Sequence, residues 1–248
     1  MNLDRKKNHY NDVSLLVTHY NRSKSLERLL DRFNDLDSSF AEIVVSDDGS
    51  KPEHLDYIKK LQETHNFKLV TSPVNKGLGS NINKGQDAVT TAYTLYVQED
   101  FVPLNSFDTS FKNAVEIISQ DTAVDTIRFY GYVEYPKSKP YKHNFSEMIF
   151  DRWSLNIKKT TMYSDHPHLR RSDFLKKFGR YPENKNPEKT EYDMMVSFLK
   201  NKGKALVYND YKTVFDQVNT STEPSTMNRK FWRYSDNYLL SATVYCYR

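Results

Sequence analysis

The chain has 248 residues, 38% hydrophobic and 27% charged, enough for one sizeable globular unit with a substantial core. It carries no run of about eighteen apolar residues and no basic-then-apolar leader, so the expectation is a soluble, cytoplasmic protein without a membrane span or signal peptide. Cys246 is the only cysteine, which excludes an internal disulfide framework and cysteine-built metal sites, and a net charge of +4 from scattered Lys and Arg argues against a nucleic-acid partner.

In chain order, Val13 to Thr18 is a nearly continuous apolar run with β-branched residues, as expected of a strand buried on both faces. Asn21, Arg22 and Ser23 then supply helix-start chemistry, and Leu26, Leu29, Leu30 and Phe33 mark one helical face. Ile43 to Val45 predicts a second strand running into Asp47, Asp48, Gly49 and Ser50. Ser50 and Glu53 have capping-box spacing ahead of Leu55, Ile58 and Leu61. Phe67 to Val70 predicts a third strand, Asn83 to Ala92 a helix, and Tyr93 to Val97 a fourth strand. Strands alternating with helices imply an α/β fold with a doubly wound, mostly parallel sheet and helices on both faces. Ligands then gather at the carboxyl ends of the strands, where every polar loop so far falls.

Four motifs in this order, VTHYNR, SDDGS, NKGLGSNINKG and YVQEDF, each after a predicted strand or opening a helix, resemble the nucleotide-binding half of a family 2 glycosyltransferase with the GT-A fold. The resemblance covers roughly the first 105 residues. It implies a donor-binding half, 1–105, and an acceptor-binding half with a helical tail, 106–248, in one continuous domain. It further implies that Thr18, Asp47 and Asp48 hold the nucleotide base. Asp47, Asp48 and Gly49 read equally as a tight turn. Tyr20 and Arg22 share the same edge and are candidate nucleotide contacts. In the glycine-rich loop, Gly77 and Gly79 permit close backbone approach, and Lys76, Asn83 and Lys84 can lean toward the diphosphate or sugar. A solvated loop is the plain alternative. The spacing fits neither a Walker loop nor a dinucleotide fingerprint.

Gln98, Glu99 and Asp100 stand where the family carries an Asp-x-Asp sequence that places a divalent cation, Mn²⁺ or Mg²⁺, against the diphosphate. Asp100 is the better ligand candidate, since a hard cation takes carboxylate oxygen. Gln98 departs from the pattern and leaves three readings open: weak metal binding, use of Glu99, or no metal.

Beyond Pro103, Phe111, Ala114, Val115 and Ile118 predict another helix and Val124 to Tyr135 an extended aromatic stretch. His166 and His168, separated by Pro167, read as an extended pair on one face. The resemblance places that segment beside the transferred sugar. TEYDMMVSFLKNKG, residues 190–203, resembles the acidic helix start that supplies the family's catalytic base. Here the adjacent acidic pair is replaced by Glu191 and Asp193, with Asp193 at capping-box distance from Thr190, which makes Asp193 the better cap and Glu191 the better base. Around 214–219 the family often offers a histidine to the metal; this chain has none, and Asp216 or Gln217 is the substitute. The tail from Arg229 to Arg248 suits either packing on the domain or peripheral contact with a membrane presenting a lipid-linked acceptor.

The reading is a transferase moving a sugar from a nucleoside diphosphate donor to a hydroxyl of a glycan or lipid-linked acceptor, with inversion and a metal. A retaining transferase, a sugar nucleotidyltransferase and a degenerate sugar-binding module are the alternatives.

Overall fold

The computed structural model describes residues 8–224. Strand β1 (Asn8–His19) is buried continuously from Val13 to His19 because both of its faces are covered. Helix α1 (Ser23–Asp35) buries the predicted face Leu26, Leu29, Leu30 and Phe33. Strand β2 (Ser38–Asp47), helix α2 (Pro52–Leu61), strand β3 (Lys68–Thr71), helix α3 (Leu78–Asp87) and strand β4 (Tyr93–Gln98) complete the alternating half. Then come β5 (Phe101–Pro103), α4 (Phe107–Gln120), β6 (Thr126–Arg128), β7 (Ser138–Pro140), β8 (Phe145–Met148), a 3-10 helix (Ile157–Thr161), β9 (His168–Arg171), α5 (Phe174–Phe178), α6 (Pro187–Lys200), β10 (Ala205–Tyr208) and β11 (Phe215–Gln217).

One nine-stranded sheet runs β3-β2-β1-β4-β9-β6-β10-β8-β7, and β11 pairs with β5 in a separate ribbon. Strands β3, β2, β1 and β4 are mutually parallel. β9 runs antiparallel between β4 and β6, and so stitches the two halves of the chain into one sheet. The core divides across that sheet. Leu15, Val17 and Val45 pack with α1 and α4 on one side, while Leu16 and Val44 pack with Ile82 of α3, Phe174 of α5 and Phe198 of α6 on the other.

Four local expectations are corrected. The helix predicted over 83–92 begins earlier, at Leu78, with Gly77 as its N-cap at φ 87°. It ends before the β-branched run Val89, Thr90, Thr91, which favours extended backbone. Its Gly and Asn content reads as loop, yet a Cβ on Gly85 would lie 2.5 Å from Leu16 Cδ1, so glycine is what lets α3 lie flat on the sheet. The Ser50/Glu53 capping box does not form. Pro52 opens α2 with Lys51 at the cap and no side-chain cap bond, because the Ser50 hydroxyl is engaged by Asn21 N–H and Asp47. The Thr190/Asp193 box does not form either. Asn186 caps α6 by accepting from Lys189 N at 2.8 Å, and Pro187 takes the first helical position, where a missing N–H costs nothing. Finally, of the stretch 124–135 only Thr126–Arg128 is strand. Residues 229–248 lie outside the described residues.

Candidate active site

Parallel pairing sets the site. Register places Thr18 beside Ser46 on one flank and beside Gln98 on the other, and His19 beside Asp47, so three motifs distant in sequence end at one sheet edge.

Asp47 is consumed by that edge. Its carboxylate accepts from His19 Nδ1 at 2.8 Å, from Gly49 N and Ser50 N at 3.1 Å each, from the Ser50 hydroxyl and from Thr71 Oγ1 at 3.1 Å. Burial pushes its carboxyl up, but the bonds from His19 and Ser50 overcome that and hold it at about 2. His19 accepts Arg22 N–H at Nε2 (3.1 Å), so its proton sits on Nδ1. Burial keeps the ring neutral and lowers its pKa despite Asp47. His19 has no periodicity to flag it and becomes legible only through the β1–β2 register.

Asp48 has a different task. Its two oxygens accept Lys76 N at 2.9 Å and Gly77 N at 2.8 Å, fixing the loop that opens α3. Burial outweighs both bonds and raises its pKa. Gly49, at φ 70°, is required because a Cβ there would meet Val74 C at 2.5 Å.

Several candidates turn inward. Asn83 clasps Tyr181 through both backbone groups, donating to Tyr181 O at 2.9 Å and accepting Tyr181 N at 3.0 Å. Lys84 donates to Asp47 O and to Ser72 Oγ. A Cβ on Gly79 would stand 2.3 Å from Pro182 O, so the close approach it permits is to that carbonyl. Thr18 Oγ1 meets the Tyr96 hydroxyl at 3.0 Å. Lys76 is exposed, and Tyr20 and Gln98 are half-buried.

The acidic turn after β4 is gathered by Arg22. Its Nη1 lies 3.2 Å from Asp100 Oδ2 and 3.5 Å from Glu99 Oε1, and its Nη2 donates to Asn219 Oδ1 at 2.8 Å and Glu223 O at 3.1 Å. Burial and the neighbouring Asp100 push the Glu99 carboxyl up to about 8, with Arg22 opposing. β11 brings Gln217 over the turn: Nε2 donates to Asp100 Oδ2 at 2.8 Å, and Oε1 accepts from the Tyr132 hydroxyl at 2.7 Å. Asp100 Oδ1 is buried and meets no hydrogen-bond partner among the described residues. Of the two residues read as substitutes near the C terminus, Gln217 is the one that reaches the turn. Asp216, the alternate residue of that strand, is exposed.

Tyr132 leads into a narrow cavity also lined by Arg128, Tyr163, Ser164, His166 and Glu191. The His166 ring stands edge-on to Tyr132 at 4.5 Å. Asp193 instead pairs with Lys189 one turn earlier on α6. The two histidines diverge, because β9 starts only at His168. His168 Nδ1 donates back to His166 O at 2.7 Å, and its ring packs on Tyr96 beneath the cavity. Burial and Arg170 drive its pKa well below the ordinary value. Arg128 and Tyr132 carry no motif that would mark them in the sequence.

No group of three or more His, Cys, Asp or Glu side chains able to hold a metal occurs among the described residues. A Mg²⁺-type ion needs only one or two carboxylates when substrate phosphates complete its shell. The unpartnered Asp100 Oδ1 beside Glu99 fits that smaller requirement.

The family model described as Glycosyl transferase family 2 matches residues 14–179. This chain belongs to that family. A family relative, the poly-beta-1,6-N-acetyl-D-glucosamine synthase of Staphylococcus epidermidis, is 28% identical over 90 residues, which is 36% of this chain and 22% of the synthase. Among solved structures, S. aureus TarS 1-349 in complex with UDP-GlcNAc matches with a TM-score of 0.61 at 20% identity, covering 87% of this chain and 61% of that one. The mannosyltransferase PcManGT from Pyrobaculum calidifontis, in complex with GDP-Man and Mn2+, matches with a TM-score of 0.55 at 18% identity, covering 82% and 56%. The match thus spans about a fifth of the synthase and three-fifths of the TarS chain. These likenesses establish the GT-A fold expected from the four motifs.

Proposed function

We propose that this family 2 chain transfers a sugar from a nucleoside diphosphate donor to a hydroxyl of a glycan or lipid-linked acceptor, by direct displacement with inversion. The observation that carries the reading is the continuity from the acidic turn to the cavity. Arg22, Asp100, Gln217 and Tyr132 form one unbroken chain of polar contacts that ends at the cavity lined by Glu191 and His166.

In this reading the donor lies along the sheet edge, with Tyr20, Asp48, Lys76 and Gln98 nearest the nucleotide. Thr18, Asp47 and Asn83 serve by shaping that edge. Asp100, with Glu99, would hold a divalent cation, Mn²⁺ or Mg²⁺, which when bound offsets the charge of the leaving diphosphate. Glu191 accepts the acceptor hydroxyl proton as that oxygen bonds to the anomeric carbon and the carbon–phosphate-oxygen bond breaks. The electron pair leaves with the nucleoside diphosphate. His166 and Tyr132, which line the same cavity, orient the sugar.

The test is thermal melting with each common nucleoside diphosphate and Mg²⁺ or Mn²⁺, followed by slow hydrolysis of the matching donors. A ligand at a hundred times its dissociation constant adds about 2.7 kcal/mol. Melting unmoved by all of them refutes the reading. Binding without hydrolysis or transfer favours a non-catalytic sugar-binding module.

A further inference from the structure

Four large apolar side chains stand exposed among the described residues, and three of them fall within six positions. Phe150 is 37%, Trp153 85% and Leu155 86% exposed, all on the loop between β8 and the 3-10 helix. The loop that carries them is tied down from within. Trp153 N donates to Asp151 Oδ1 at 3.0 Å, and the buried Lys159 ammonium donates to the carbonyls of Arg152 (3.1 Å) and Ser154 (2.5 Å), the two neighbours of Trp153. The Arg152 guanidinium lies 5.5 Å from the Trp153 ring centre. Both tips are therefore held outward by a fixed backbone. An exposed apolar cluster on a soluble surface marks an interaction site.

Charge selects the occupant. Lys137 is paired with Asp151 and Lys142 with Glu116 and Lys159 is buried, so the cations this face offers are the exposed Arg152 beside Trp153 and Lys139 at the centre of the neighbouring edge strand β7, which is exposed throughout. The chain's own residues 225–248 carry four Lys and Arg against one Asp, so their charge does not complement these cations. The partner is anionic. A sugar-stacking platform would use Trp153 but leaves Leu155 unexplained, whereas an interfacial bilayer anchor uses an aromatic, an aliphatic and flanking basic groups together.

We propose that the loop 150–155 docks on an anionic phospholipid surface, with Trp153 and Leu155 inserted among the headgroups. The loop continues through the 3-10 helix to Thr160 and Thr161, which line the Glu191 cavity, so docking holds that cavity beside the surface. The docking stands on the loop alone; delivery of a surface-bound acceptor to Glu191 rests on the function proposed above.

The experiment uses the full chain carrying Trp232→Phe, which leaves Trp153 as the sole tryptophan, and vesicles of phosphatidylcholine with or without phosphatidylglycerol. Expected are co-sedimentation with the anionic vesicles only, a blue shift of Trp153 emission on binding, and weakening by salt. In the wild-type background, Trp153→Ser with Leu155→Ser should lower partitioning at least about tenfold while donor hydrolysis in solution stays normal. That pairing separates failure of docking from failure of the transferase reading. No binding, or binding unchanged in the double variant, overturns the proposal. So does Trp153 emission that is already blue-shifted and shielded from quencher without vesicles, or that shifts on adding soluble oligosaccharide instead.

Discussion

Adjacent aspartates at one strand end should respond oppositely to neutralisation. Asp47 is fully buried and is held at about 2 against an ordinary 3.8. Its ionised form therefore stabilises the fold by about 2.5 kcal/mol at neutral pH. Because the folded value is depressed, that contribution is complete above about pH 4 and disappears as pH falls toward 2. Asp48 has the reverse sign: burial raises its value, so its ionisation opposes folding at neutral pH, and its two backbone amide bonds offset only part of that cost. Asp47→Asn should lose at least about 2.5 kcal/mol, since the amide also sets an N–H against existing donors. Asp48→Asn should stay within about 1 kcal/mol of wild type, because one lost amide bond is balanced by relief of a buried charge. Urea unfolding at pH 7 measures both, and repeating it at pH 4, 3 and 2 tests the mechanism. Wild type should lose stability across that window more steeply than Asp47→Asn. Equal losses at pH 7, or identical acid limbs, would refute the assignment of Asp47 to the fold and Asp48 to the ligand. Nucleotide affinity should fall in Asp48→Asn and persist in the folded fraction of Asp47→Asn.

Glu191→Gln should lower transfer roughly a hundred- to ten-thousand-fold with donor affinity kept, and should also lower melting because the buried Arg128 loses its carboxylate neighbour, whereas Asp193→Asn removes one surface pair on α6 and should cost about 0.3–0.5 kcal/mol and little rate. Near-normal turnover in both, measured with a matched donor, moves the base to His166. Asp100→Asn should abolish metal-dependent stabilisation by nucleoside diphosphate, while Gln98→Ala changes it little; equal loss would make Gln98 a working ligand. Gly79→Ala must displace the Pro182 carbonyl and should cost about 1–3 kcal/mol, read by chemical denaturation; an unchanged midpoint would show that the α3 contact yields freely.

What the sequence determined by itself was the alternating half. Apolar β-branched runs such as 13–18 and 43–45 and the α1 face from Leu26 to Phe33 carry their periodicity locally, and the polar residues after each strand had to fall at one sheet edge. Glu191 was marked by a short motif on one helix, and the base is the role proposed for it above. Helix starts were less legible. α3 is glycine- and asparagine-rich because it lies against Leu16 and Pro182, and that pressure comes from packing, not propensity. The partnerships were not legible at all. Asp47 and Asp48 are neighbours in sequence, yet one is saturated by His19, Ser50 and Thr71 while the other clamps Lys76 and Gly77. Gln217 reaches Asp100 only because β11 pairs with β5, and Arg128 and Tyr132 share a cavity with Glu191 in a sheet where β9 inserts antiparallel between β4 and β6. Hydrogen bonds and buried charges depend on distances set by strand order and register, which no local pattern encodes. Tertiary structure therefore decided which polar residues remain free to act and which are spent holding the edge in place.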